Sequence, residues 1–457
     1  MGNNTELLKS YLTPGKHVHL VGIGGVSMRP LGLVLQGMGM HVTGSDMNSS
    51  VSTDELISKG IKVAIGHAEK NIEGADCIIR TAAAHNDNPE IAAARSKGIP
   101  LFERAEAWGV IMQAYKNAVC VSGTHGKTTT TSMITHILMA ANVDPTVMIG
   151  GYLPLLHAGH RVGAGDTIVL ESCEYCDSFL NFFPTIALIL NIEADHLDYF
   201  KDLQDVEKSF RNFAGLASNS VLANGDDPHV VETLQGMDYI SFGIDPSNIV
   251  HGENICPDWR HLDVVCDGEF YCHLDLNVLG RHNALNAIGA AAAAWVLGIP
   301  GEAVAEGLRS FSGADRRMQF KGTFNGAKVY DDYAHHPDEL AATISAVRSM
   351  EPDRIVVAFQ PHTYTRTKAL FDDFVLQLRE ADYLILSEIY AARERNTVGI
   401  SSKDLVDHIP GSVYCATLQD VTEHLRQIAR EGDVILTIGA GDIFKAGEAL
   451  LHSKDLS

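Results

Sequence analysis

Short apolar runs alternate with segments of helical spacing along most of the chain, and glycine-rich turns follow three of these runs. The turns read GIGGVSM at 22–28, SGTHGKTTT at 122–130 and GAGD at 439–442. Apolar strands that alternate with helices build parallel sheets with both faces buried. The chain is therefore predicted to be an α/β protein with mostly parallel sheets.

The same pattern divides the chain into three units. The first is predicted over residues 1–107, the second over 108–312 and the third over 313–457. Short alternating segments between about 249 and 280 predict a β-hairpin insert in the second unit. A chain of 457 residues with 46% apolar and 20% charged residues has enough material to bury the cores of several domains.

Composition also excludes some classes of function. The formal net charge of −22 argues against non-specific binding to nucleic acid or to an anionic membrane. No apolar run reaches the length of a membrane span, and no basic segment precedes an apolar one at the N-terminus. Eight scattered cysteines, including the single pair Cys173 and Cys176, are typical of reduced thiols. We expect a cytoplasmic protein without nucleic-acid partners and without membrane insertion.

The turn at 122–130 predicts a phosphate cradle. It joins an apolar run to a helix, so backbone N–H groups and the helix N-terminus face an anion while Lys127 adds a positive charge. Thr128 stands where a Mg²⁺ ligand belongs. The general phosphate-loop pattern places a glycine where this chain has Val121, and Gly123 is the other glycine of the turn. The alternative is a strand-to-helix turn without a ligand.

Polar residues follow two further predicted strands of the second unit. Glu171 ends one of them, and parallel strands bring their carboxyl ends to the same edge of a sheet. We expect Thr128 and Glu171 to share a Mg²⁺ that bridges ATP phosphates, with His196 on a second cation. A helix cap, a surface charge or a local hydrogen-bond pair is the alternative for each residue alone. The residues that follow the second strand are Glu193, Asp195, His196 and Asp198.

The first and third units carry weaker signals. GIGGVSM departs from the dinucleotide pattern G-x-G-x-x-G because Met28 replaces the third small residue, although Asp46 lies near the end of the second predicted strand. That motif alone leaves a nicotinamide dehydrogenase open. The loops DDYAHHP at 331–337 and QPHTYTRT at 360–367 are dense in polar groups, which suits small polar substrates. Two adjacent histidines alone favour a solvated loop.

Together these motifs resemble those of the Mur ligase family, in the family's order and over nearly the whole chain. The matching segments are 22–25, 122–130, 191–196, 332–337, 360–362 and 439–442. The resemblance implies a Rossmann-like N-terminal domain that holds a UDP-sugar. It also implies a P-loop-type central ATPase and a Rossmann-like C-terminal domain that closes over ATP and binds the amino acid.

The resemblance implies an activity as well. An ATP- and Mg²⁺-dependent ligase is expected to join L-alanine to the carboxylate of UDP-N-acetylmuramate through an acyl phosphate, in peptidoglycan precursor synthesis. The 332–337 and 360–366 loops favour this reaction. A murein tripeptide recycling ligase of the same superfamily is the alternative. The chain is expected to be a monomer or homodimer.

Site residues are carried over from the resemblance alone. The implied catalytic residues are Lys127, His196, Arg317 and His335. The implied ATP site comprises Gly123, Thr124, His125, Gly126, Lys127, Thr128, Thr129, Asn283, Asn286, Arg317 and Asp332. The implied metal ligands are Thr128, Glu171 and His196. The implied UDP-sugar site comprises Gly22, Ile23, Gly24, Gly25, Asp46 and His85. The implied amino-acid site comprises His335, His362 and Arg366.

Two positions depart from the family pattern. An acidic residue common in the family is Cys173 here, and the arginine that often follows His362 is Thr363. Recognition of the alanine carboxylate is therefore expected to depend more on Arg366. A catalytically silent sugar-nucleotide binding protein is a further alternative, but the presence of Lys127, Glu171 and His196 together argues against it.

Overall fold

The computed structural model describes residues 2–81, 83–197, 199–392 and 394–452. Within these ranges the chain forms three sheets, each covered by helices, and most neighbouring strands run parallel. The predicted α/β class is confirmed. The domain boundaries at 107 and 312 stay predictions.

The first sheet has five parallel strands in the order β3-β2-β1-β4-β5. The order reverses between β1 and β4, and a crevice at such a point binds ligands in open α/β sheets. The helix α5 runs across residue 107. The elements are α1 (Gly2–Tyr11), β1 (His17–Val21), α2 (Met28–Gly37), β2 (His41–Asp46), α3 (Val51–Ser58), β3 (Lys62–Ile65), β4 (Cys77–Arg80), α4 (Pro89–Lys97), β5 (Leu101–Glu103) and α5 (Arg104–Met112).

The second sheet has ten strands in the order β15-β14-β13-β12-β11-β10-β6-β9-β7-β8. The strands from β13 to β7 in this order are parallel, whereas β8, β14 and β15 are antiparallel to their neighbours. The predicted hairpin is confirmed as β14–β15, but it extends the large sheet.

The elements of the second sheet's domain are β6 (Asn117–Ser122), α6 (Lys127–Ala140), β7 (Thr146–Leu153), β8 (Ala158–Arg161), β9 (Thr167–Glu171), β10 (Ile186–Ile189), α7 (Leu203–Ala214), β11 (Ser220–Asn224), α8 (Pro228–Thr233), β12 (Ile240–Gly243), β13 (Val250–Glu253), β14 (His261–Cys266), β15 (Glu269–Asp275), α9 (Arg281–Val296) and α10 (Gly301–Ser310).

The third sheet has six strands in the order β16-β17-β21-β18-β19-β20, and only β16 is antiparallel to its neighbour among the described strands. Its domain comprises β16 (Gln319–Phe324), β17 (Ala327–Asp332), α11 (Pro337–Arg348), β18 (Arg354–Phe359), α12 (Tyr364–Ala369), α13 (Phe371–Leu378), β19 (Tyr383–Ser387), α14 (Ser402–His408), β20 (Val413–Cys415), α15 (Leu418–Ile428), β21 (Asp433–Ile438) and α16 (Phe444–His452).

Packing of the central core positions the glycine turn at 122–130, called the nucleotide-type loop below. The alanine-rich face of α9 is buried against α6 and the sheet, and its small side chains let the two helices approach closely. The N-termini of α6 and α9 therefore open on the same cleft. No helix in the described ranges is long and apolar enough to cross a membrane.

Candidate active site

The loop between β6 and α6 forms the floor of the cleft. Gly126 has φ +83°, and a Cβ atom there would lie 2.6 Å from Asn286 Oδ1, so this position requires glycine. The backbone N–H of His125 donates to Asn191 Oδ1 at 2.7 Å, which fixes the turn against the end of β10. Val121 is fully buried in β6. The loop thus turns within Gly123–Gly126 and needs no glycine at 121.

Lys127, the first residue of α6, has its ammonium group folded back onto the loop. Nζ donates to the carbonyl oxygens of Gly123 and Thr124 and lies 3.0 Å from Glu174 Oε2. Burial opposes the charge on Lys127, but the nearby acidic groups, with Glu174 foremost, together outweigh it and raise the lysine pKa. The site therefore keeps a permanent cation at the helix N-terminus, where an anion is also favoured by the helix dipole.

Oxygen ligands suited to a hard cation flank this lysine. Thr128 Oγ1 donates to Glu171 Oε1 at 3.0 Å, and the other oxygen of Glu171 accepts from the Gly150 N–H at 2.6 Å. His196 Nε2 lies 3.6 Å from Glu174 Oε1. A hydroxyl and two carboxylates beside an imidazole fit the donor preferences of Mg²⁺ at a phosphate site. The neighbouring residue Asp198 lies outside the described residues.

A cavity of about 230 Å³ lies above the loop, between the central and C-terminal domains. Its lining combines polar groups from both domains with apolar side chains such as Leu190, Phe242 and Phe311, as in many ligand pockets. The residues that line the cavity and were predicted from the sequence are His125, Gly126, Thr129, Asn283, Asn286, Arg317 and Asp332.

His125 joins the two domains across this cavity. Its Nε2 lies 3.0 Å from Glu193 Oε2 of the central domain, and its Nδ1 lies 3.2 Å from Glu339 Oε1 on α11. Burial opposes protonation of the ring, but the two carboxylates outweigh it and raise the His125 pKa to about 10. The imidazolium is therefore an interdomain bridge at neutral pH.

The C-terminal domain places Arg317 and Asp332 on the opposite wall. Arg317 Nη1 lies 3.5 Å from Glu339 Oε1, and its guanidinium stacks over the Tyr333 ring. Asp332 accepts from the backbone N–H groups of Met318 and Ala334. Burial raises the Asp332 pKa to about 6, against the opposing effect of Arg317.

The two polar loops of the C-terminal domain meet at one point. The rings of His335 and His362 are 5.9 Å apart, and Arg366 Nη1 lies 3.4 Å from His362 Nδ1. Arg366 Nη2 also donates to Asp195 Oδ1 of the central domain at 3.0 Å. Burial lowers the His335 pKa to about 4 despite the nearby Glu339, so this imidazole is neutral.

The first glycine turn lies at the ligand-binding edge of the first sheet. The N–H groups of Gly22 and Ile23 donate to the Ser45 carbonyl, and that of Gly24 donates to Asp46 Oδ2 at 2.9 Å. Gly22 has φ +80°. His85 is exposed in the loop after β4. None of these residues lines the cavity between the other two domains.

The comparisons with known proteins agree along the whole chain. Family models match at residues 17–116 (Mur ligase family, catalytic domain), 121–294 (Mur ligase middle domain) and 316–441 (Mur ligase, glutamate ligase domain). A relative from Agathobacter rectalis, named UDP-N-acetylmuramate–L-alanine ligase, is 44% identical over 450 residues, which are 95% of this chain and 97% of that protein. The chain belongs to the Mur ligase family.

Solved structures of the family have the same fold. The crystal structure of UDP-N-acetylmuramate–alanine ligase MurC from Thermotoga maritima has a TM-score of 0.80 and 28% identity, over 96% of this chain and 99% of that one. A murein peptide ligase from Psychrobacter arcticus has a TM-score of 0.72 at 23% identity, over 97% and 99% of the two chains, and supports the fold only.

The sequence indicated Glu174 and Glu193 only as metal-type residues near strand ends and did not indicate Glu339, although all three carboxylates hold this Mur ligase site together. Glu174 fixes Lys127, whereas Glu193 and Glu339 hold His125 from opposite sides. Glu339 lies in the first turn of α11, where an acidic residue is ordinarily read as a helix cap. Its contact with His125 joins residues 214 positions apart, so only the domain arrangement reveals it.

Proposed function

We propose that this protein is an ATP-dependent ligase that forms an amide bond between L-alanine and the carboxylate of UDP-N-acetylmuramate. The observation that carries the proposal is the cavity between two domains, with His125, Gly126 and Thr129 of the loop on one side and Arg317 on the other, next to the Lys127 and Thr128 group. The names of two relatives at 44% identity support the same substrates.

The reaction requires two anions to meet. A carboxylate oxygen of the sugar nucleotide attacks the γ-phosphorus of ATP, the bond to ADP breaks and an acyl phosphate forms. The alanine amine then attacks the acyl carbon, loses a proton and expels inorganic phosphate. Catalysis is a matter of position and charge, since no protein nucleophile takes part.

The residues of the loop supply that charge. We assign Lys127 and Arg317 to the ATP phosphates from opposite walls, with the loop N–H groups between them. Thr128, Glu171 and His196 are the proposed ligands of Mg²⁺, which when bound neutralises phosphate charge. Asn283 and Asn286, at the start of α9 and on the cavity wall, are proposed to face the adenine.

The loops of the C-terminal domain are assigned to L-alanine. Arg366 offers a guanidinium to the amino-acid carboxylate, in place of the arginine absent at Thr363. The neutral ring of His335 can accept a hydrogen bond from the ammonium group. The first glycine turn, with Asp46, is assigned to the UDP-sugar because it lies at the carboxyl edge of the first sheet, where the strand order reverses.

Phosphate release in the presence of UDP-N-acetylmuramate, ATP and Mg²⁺ tests the proposal directly. L-alanine should support turnover far better than a murein tripeptide. Preference for the tripeptide would identify the recycling ligase instead. A change in absorbance of a nicotinamide cofactor without phosphate release would contradict ligase chemistry altogether.

Replacement of Lys127 by alanine separates the two sites. Turnover should fall at least about 100-fold, the scale for loss of one charge-stabilising group in an active site. Binding of the UDP-sugar should persist, because its proposed site lies in another domain. The control is Lys116→Ala, at an exposed lysine close to the central domain, which should leave turnover and UDP-sugar binding unchanged. Normal turnover in Lys127→Ala would sink the assignment.

We also propose that the protein works in the cytoplasm, where ATP and UDP-sugars are available, as a monomer or homodimer. Sedimentation of the purified chain distinguishes the two states.

A further inference from the structure

The β14–β15 hairpin carries four titratable side chains on one face. Its register pairs His261 with Asp275 and Asp263 with His273. The alternate residues of both strands are apolar and lie in the central core on the opposite face. Two histidines and two aspartates therefore form a square on the outer face of the sheet, away from the active-site loop.

The geometry of this square exceeds what cross-strand ion pairs require. Asp275 Oδ1 lies 2.9 Å from His261 Nδ1 and 3.4 Å from His273 Nε2. These three ligand atoms lie within 4.8 Å of one another. Two imidazoles thus converge on one carboxylate oxygen, whereas pairing alone would need each histidine to contact only its own cross-strand aspartate.

Surrounding contacts hold these groups in a ligating orientation. Asp263 Oδ1 lies 2.7 Å from His273 Nδ1 and so turns Nε2 toward Asp275, and Asn254 Nδ2 donates to the other Asp263 oxygen at 2.7 Å. A carboxylate on the far nitrogen of an imidazole is the usual support of a metal-bound histidine. Arg309 contacts Asp275 Oδ2 at 3.3 Å and leaves Oδ1 to the histidines.

We propose that His261, His273 and Asp275 form a binding site for one divalent transition-metal ion of the class Zn²⁺, Co²⁺ or Ni²⁺. Two imidazoles and one carboxylate suit these ions, whereas Mg²⁺ and Ca²⁺ prefer sets of oxygen ligands. All three side chains are partly exposed, which leaves room for water as a further ligand.

The bound ion would clamp the edge of the large sheet. β15 is its outermost strand on this side, and it packs on α10, which in turn packs on α6. A metal ion that links β14 to β15 would therefore resist fraying of this edge, which supports α6, the helix that follows the nucleotide-type loop.

Metal titration of the full chain tests this proposal. Calorimetry with Zn²⁺, and the visible absorption of Co²⁺, count the bound metal, and binding at the catalytic site is common to the wild type and the hairpin variants. The wild type should bind one equivalent more than His273→Gln or His261→Gln. Asp263→Asn should keep the site but bind roughly 10- to 100-fold more weakly, the usual cost of losing such a support.

The control is His229→Gln, in a separate histidine–glutamate group of the same domain. This variant should retain the extra equivalent of bound metal. Zn²⁺ should raise the unfolding temperature of His229→Gln and of the wild type, but not that of His273→Gln. Asp275→Asn repeats the test if His273→Gln unfolds early without metal. Equal binding by wild type and hairpin variants, or loss of the equivalent in His229→Gln, would overturn the proposal.

Discussion

The bridge made by His125 predicts a large pH-dependent effect of one substitution. In the wild type the protonated ring joins Glu193 and Glu339 at 3.0 and 3.2 Å, with 15% of its side chain exposed. A pKa of about 10 in place of 6.5 corresponds to roughly 5 kcal/mol in favour of the protonated, bridged state. The replacement His125→Gln keeps a polar side chain but removes this charge.

The sign of the pH dependence follows from the raised pKa. Stabilisation by the bridge is fully present below about pH 6.5, where the unfolded chain also binds the proton. Above that pH it falls by about 1.4 kcal/mol for each pH unit. It is lost as the pH rises through about 10. The destabilisation caused by His125→Gln should therefore be about 3 to 5 kcal/mol near pH 6.5 to 7.5 and below about 1 kcal/mol near pH 10.

Urea unfolding of the nucleotide-free protein, followed by tryptophan fluorescence at both pH values, measures the difference. His229→Gln is the matched control, because its ion pair with Glu207 is 42% exposed on the histidine side and lies within one domain. That control should change the free energy of unfolding by less than about 1 kcal/mol. A loss in His125→Gln that is the same at both pH values would refute the bridge.

Two further predictions concern the interdomain ion pair and the first glycine turn. Arg366→Met leaves Asp195 buried without its arginine partner, so it should destabilise the protein by about 3 kcal/mol. Adding Asp195→Asn should recover part of that loss in a double-mutant cycle. Strictly additive effects of the two substitutions would contradict the contact. Gly22→Ala and Gly15→Ala share backbone strain at φ +80° and +84°, but only at Gly22 would the new Cβ meet Thr81, at 2.6 Å. Calorimetry with the UDP-sugar should therefore show weaker binding in Gly22→Ala and unchanged binding in Gly15→Ala, and equal loss in both would mean that strain alone matters.

Much of the fold was predictable because its signals are local. The apolar runs that became β1, β6, β18 and β21 carry their periodicity in the sequence, and each is buried in its sheet. Strands such as β3 and β16 were not predicted, since they are half-exposed and lack a continuous apolar run. The hairpin β14–β15 was predicted as a hairpin, but its place at the end of a ten-stranded sheet depends on pairing with β13.

The candidate site divides in the same way. Lys127 and Thr128 follow from the turn after β6, because a strand, a glycine and a helix N-terminus in that order define a phosphate cradle by themselves. No local rule assigns Glu174 to Lys127, or Glu339 to His125. Those contacts depend on how strands are ordered and how domains meet.

By itself, then, the sequence determined the three α/β units, the position of the nucleotide-type loop and the family resemblance, since each rests on short-range periodicity and on motifs in a fixed order. Only the tertiary structure decided which carboxylates neutralise the buried cations and which histidines face one another on the β14–β15 hairpin. Electrostatic partners are selected by distance in space, and residues far apart along the chain, such as Arg366 and Asp195, come within 3.0 Å only when the domains pack.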